Sequence, residues 1–85
     1  MKFYAIGLVK SAISDHAIEG CGTFNCVMID GRLSFEKAKT LANDWYEKKH
    51  KTENMIGYRL FKAERISQCK KPLFIHNPSN LPIKD

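Results

Sequence analysis

The side chains of this chain best equipped for chemistry are three cysteines, Cys21, Cys26 and Cys69, and three histidines, His16, His50 and His76. Thiolates and imidazoles together can ligate zinc, but structural zinc sites are seeded by closely spaced pairs of the C-x2-C or H-x3-H kind, and neither spacing is present. If Cys21 and Cys26 share a strand, their odd separation turns them to opposite faces of a sheet. No metal and no cofactor is expected. A second constellation, Asp15, His16, Glu19 and Cys21, crowds one stretch, and a Cys beside a His can form a nucleophile with its base. A glycine-containing loop fixes no such geometry, no oxyanion donors are identifiable, and so short a chain encloses little pocket. The stretch reads as a polar surface loop, and the chain as a non-enzyme.

A third pattern interleaves aromatic and basic side chains. In NMIGYRLFKAERI, residues 54 to 66, Tyr58 and Phe61 alternate with Arg59, Lys62 and Arg65. Such interleaving suits single-stranded nucleic acid, with rings stacking on bases and cations on phosphates. It also suits one strand of a sheet in a basic protein. Which applies depends on the elements that position these residues.

At 85 residues there is one domain. Its core must offset roughly 1.5 kcal/mol of conformational entropy per ordered residue, so little apolar surface can be spared. The first strand runs through residues 2 to 10 and is apolar on both faces, Tyr4, Ile6 and Leu8 on one and Phe3, Ala5 and Val9 on the other, as befits a central strand. A loop, SAISDHAIEGCG, leads to a second strand over residues 23 to 30. Asp30-Gly31 is a strand-to-helix turn and Ser34 an N-cap. Phe35, Ala38, Leu41, Ala42, Trp45 and Tyr46 then recur at separations of three and four, which predicts an amphipathic helix over residues 35 to 50. The charge run KKHK, residues 48 to 51, belongs to its C-terminus, where cations complement the helix dipole.

The third strand is the aromatic-basic stretch. Beyond it, Pro72, Pro78 and Pro82 leave LFIH at most a short edge strand and residues 77 to 85 an extended arm after a domain of residues 1 to 76. The helical crossover joins two strands that flank the first, giving the order 2-1-3. The expected fold is α+β: a β-β-α-β chain forming a three- or four-stranded, mainly antiparallel sheet, one helix on one face, and a Pro-containing C-terminal tail.

One helix covers one face. By parity that face carries Tyr4, Ile6, Leu8, Phe24, Cys26, Met28, Ile56, Tyr58 and Leu60, which leaves Phe3, Asn25, Arg59 and Phe61 on an open apolar face with Arg65 at its rim. These five are the candidate partner-binding residues. The open face calls for a larger protein, a second copy of the chain, or the chain's own PLFI segment folded over it. Docking by an edge strand is a further route to a larger protein. In size and make-up the chain resembles the short accessory proteins of phages and mobile elements, which often act by binding and blocking a host protein. The alternative is a nucleic-acid module with Phe61 and Phe3 as stacking platforms and Arg59, Arg65, Lys62, Lys70 and Lys71 on phosphates. The net charge of +5 favours an anionic partner of either kind. No stretch approaches the length of a membrane span, and the odd cysteine count fits a reducing, cytoplasmic setting.

Overall fold

A computed structural model of the chain describes residues 1–9 and 26–78. Asp15, His16, Glu19, Cys21 and Asn25 lie outside them, as does most of the expected C-terminal arm. Strand β1 spans Lys2–Val9, β2 Cys26–Asp30, helix α1 Phe35–Lys49, β3 Met55–Ala63 and β4 Phe74–His76, with a 3-10 turn at Ile66–Gln68. The sheet order is β2-β1-β3-β4 and each neighbouring pair is antiparallel. The expected 2-1-3 core is present, and LFIH supplies a fourth strand at the edge of β3.

Local chemistry sets the boundaries. Met1 curls over the β2–α1 turn so closely that a side chain at Gly31 would overlap its carbonyl oxygen. The Asp30 carboxylate accepts bonds from the Arg32 amide (2.9 Å) and from the Arg32 guanidinium (2.8 to 3.2 Å), which closes this turn. Those bonds hold the Asp30 carboxyl down at about 2. Ser34 Oγ accepts from the Lys37 amide at 3.2 Å and starts α1 as an N-cap. After the helix, Asn54 takes a left-handed φ of 55°, a conformation that asparagine tolerates better than most residues, and the chain enters β3.

The two faces of the sheet differ from the expected assignment. Directly opposed residues share a face, and Tyr58 and Leu60, which do meet the helix, are opposed by Gly7 and Ala5. The odd residues of β1 therefore lie under α1. Phe3, Ala5 and Ile29 pack with Ala38, Ala42 and Tyr46, while Tyr4 and Ile6 join Phe61 and Ala63 on the far face. Phe3 is thus not beside Arg59 and Phe61; it is sealed beneath the helix, 1% exposed. The cause is volume. Ala5 and Gly7 leave room for Ala38 and Ala42 to approach, and the bulk of Tyr58, Leu60 and Tyr46 fills the layer around them.

The centre of the far face is closed, while Met28 and Ile75 at its flanks, opposed to Tyr4 and Arg59, are exposed. Ile6 is 0% exposed, and Arg59 and Phe61 are as deeply buried as the helix-side core. Ile66 and Cys69 pack over Phe61 and Ala63, and the chain leaving β4 passes over Gly57, where a side chain would overlap the His76 carbonyl oxygen. The PLFI segment does not cover this face. Phe74 turns to the helix side, and Leu73 and Ile75 stay exposed. No helix among the described residues is long and apolar enough to cross a membrane.

Candidate functional site

With the centres of both sheet faces buried, the edges and flanks are the parts of the sheet that a partner can reach among the described residues. Among the described residues, β2 ends one side of the sheet and β4 the other. The β2 edge terminates in the Asp30–Arg32 ion pair, and charge on an edge discourages further strand pairing. A shallow hollow of about 420 Å3 lies there, between Met1, Met28 and Arg32.

The β4 edge is built differently. Pro72 precedes the strand, and the Leu73 amide donates to the Leu60 carbonyl at 2.7 Å, which starts the ladder. Pairing then runs Leu60 to Phe74, Arg59 to Ile75 and Tyr58 to His76. Bare Gly57 lets the chain leave the strand tightly against β3. A three-residue strand has few ladder bonds of its own. Its anchorage comes from aromatic side chains on the helix side.

His76 lies between two tyrosines, its ring 5.1 Å from Tyr46 and 5.2 Å from Tyr58. Tyr46 also stacks on His50 at 5.0 Å and leans on Tyr58 at 5.6 Å. Phe74 meets Tyr58 at 6.1 Å and Phe35 edge-on at 6.4 Å. The Lys39 ammonium sits 5.0 Å from the Phe74 ring centre and 5.6 Å from that of Phe35, a double cation–π contact, while reaching Glu36 at 3.5 Å. Burial pushes the Tyr58 hydroxyl above its ordinary titration range, and burial together with the Glu47 carboxylate does the same for Tyr46. Both phenols stay neutral at physiological pH. The two tyrosine rings of the clasp are therefore uncharged, and Lys39 sets one cation over Phe74.

Between α1 and β4 a cleft of about 270 Å3 remains, lined by Lys39, Thr40, Asn43 and Asp44 from the helix and by Tyr58 and Phe74 from the sheet. Across the sheet from that cleft, Ile75 of β4, opposed to Arg59 and so on the far face, is 41% exposed, and Leu73 just before the strand is 54% exposed. Apolar side chains thus stand open on, and just before, the strand that ends the sheet among the described residues.

The residues singled out from the sequence are scattered by this fold. Phe3 lies under α1, with the Lys62 ammonium 4.8 Å from its ring centre. Arg59 and Phe61 do share the far face, but both are buried. Stacking needs an open ring face, and neither Phe3 nor Phe61 offers one. Arg65 is exposed at the start of the 3-10 turn, and Lys70 and Lys71 are exposed just before β4. Among the described residues, no group of three or more His, Cys, Asp or Glu side chains gathers closely enough to hold a metal ion.

Sequence reasoning placed β4 at the edge but missed its surroundings, namely Lys39, Asn43, Tyr46, Leu73, Ile75 and His76. One signal for them was present. In LFIH, parity divides Phe74 and His76 from Leu73 and Ile75, so one pair had to be buried and the other left outward. No protein-family model matches the chain, and neither a curated protein nor a solved structure matches it.

Proposed function

We propose that this chain is a small, non-catalytic binding protein that docks through the outer edge of β4 onto an extended, acidic segment of a larger protein. The observation that carries this reading is the exposure of Ile75 on β4 and of Leu73 just before it, at the strand where the described sheet ends. An edge strand offers main-chain donors and acceptors for one more strand, and side chains on either side of it supply apolar contact. The aromatic clasp holds β4 in place beforehand, so less ordering is left to oppose binding.

Charge selects the partner. Lys70 and Lys71 lead into β4, Lys39 caps the adjoining rings, and the whole chain carries +5. This field attracts an acidic segment and disfavours a second copy of the same chain. Capping a strand-forming segment of a larger protein would also block it, which makes inhibition the natural consequence of docking. The three cysteines favour a reducing, cytoplasmic setting.

The test compares the tagged chain with a Leu73→Lys, Ile75→Lys variant in pull-downs from the native host, with and without nuclease. The expected result is recovery of one protein, insensitive to nuclease and lost with the variant, whose circular dichroism spectrum stays unchanged. Equal recovery by the variant would contradict docking at β4. Recovery of nucleic acid alone would contradict a protein partner.

A further inference from the structure

Resting on the edge-docking reading, we infer that the cleft between α1 and β4 is a side-chain pocket that selects an aromatic residue with a polar tip, tyrosine foremost, in the docked segment. A strand added to β4 lies about 4.8 Å beyond it, and every second side chain points to the helix side of the sheet. That side holds the cleft. Main-chain pairing at an edge is indifferent to sequence, and specificity in this mode of recognition comes from pockets that take alternate side chains.

The size of the cleft decides what it holds. At about 270 Å3 it lies near the lower end of the roughly 300–1,000 Å3 of sites for drug-sized ligands, a size that suits one side chain. Its chemistry decides which. Tyr58 and Phe74 provide ring surface, and the Lys39 ammonium, already held over Phe74 and Phe35, can engage a further ring. Thr40, Asn43 and Asp44 form a polar wall with acceptors for a phenolic hydroxyl. An aliphatic side chain would leave those groups without exchange for their water. A carboxylate would meet Asp44.

The probe is an end-blocked heptapeptide, Thr-Glu-Val-Tyr-Val-Glu-Thr, with a second peptide carrying Ala at the centre. Each is titrated into the isotope-labelled full chain and followed by amide NMR shifts. The Tyr peptide is expected to move Lys39, Thr40, Asn43 and Phe74 saturably, and the Ala peptide to bind at least about tenfold more weakly, the factor set by losing one buried aromatic side chain. Asn43→Phe, which fills the cleft while leaving the β4 edge intact, should bring the Tyr peptide down to the affinity of the Ala peptide. Equal affinities, with shifts confined to residues 73 to 76, would overturn the pocket and leave edge docking standing. Absence of saturable shifts at β4 with either peptide, in a chain whose spectrum shows it folded, would overturn both.

Discussion

Gly57→Ala should loosen β4 without unfolding the rest of the molecule. An added methyl group there would overlap the His76 carbonyl oxygen and approach the Asn77 Cα at 3.4 Å. Both are backbone atoms, so no side-chain rotation can relieve the overlap. The chain leaving β4 has to lift. Three cross-strand pairs join β3 to β4, and at about 0.2–1 kcal/mol each they place about 0.6–3 kcal/mol at stake. Partial loss of Phe74 burial adds to this, and the reduced freedom of alanine in the unfolded chain returns about 0.4–1 kcal/mol. The net expectation is a destabilisation of about 1–3 kcal/mol, read from the urea midpoint. Faster amide exchange at residues 73 to 76 should accompany it, with exchange in β1 and α1 rising only to the extent of the global change. Gly31→Ala is the control, because its methyl group would strain the Met1 carbonyl beside β2, at the opposite side of the sheet. If Gly57→Ala instead stabilised the protein, as glycine replacement does where the backbone is compatible and space is open, the tight exit of β4 would be wrong.

Three further outcomes follow from the structure. Phe61→Ala should cost about 3–5 kcal/mol, because Phe61 is 1% exposed; in a domain of this size, with total stability of about 4–13 kcal/mol, thermal unfolding should fall sharply, whereas an exposed docking residue would leave it unchanged. Ser34→Ala should lower stability by about 1 kcal/mol in urea unfolding, with Thr or Asp in its place restoring most of the loss. The Asp30 carboxyl should titrate near 2 by carbon NMR and return toward 3.8 in Arg32→Ala; since its folded value is depressed, its contribution to stability is present above the unfolded value and is lost as pH falls toward about 2.

Much of the fold can be read from local pattern. Ser34, the three- and four-residue spacing through Tyr46, and the apolar run of β1 each encode their own element, and the right-handed crossover then leaves β1 in the middle. What could not be read is which face of β1 meets the helix. A strand apolar on both sides carries no parity signal, and the answer lies in register. Ala5 and Gly7 fall opposite Leu60 and Tyr58, a pairing set jointly by β1 and β3 and not by either strand alone. This one step turns Phe3 under the helix, and the far face, open by parity, has a buried centre for a related reason. Arg59 there suggests solvent contact by its charge, yet it is 3% exposed. Burial of a cation is a tertiary outcome that composition does not announce. Tyr58 illustrates the opposite case. It stood out as part of an aromatic-basic run, parity assigned it to the helix side, and the structure finds it there against Tyr46, Phe74 and His76.

Docking at the outer edge of β4 is tested most directly by hydrogen exchange on the full chain, free and in complex with the protein it recovers from its host. Bound partner should slow exchange within residues 74 to 76, where an added strand takes up the outward amides, and should protect the α1 segment around Lys39 and Asn43. Exchange at the β2 edge should not change. Protection centred on β2 with β4 unaffected, or a complex that leaves β4 exchange as it is in the free chain, would contradict it.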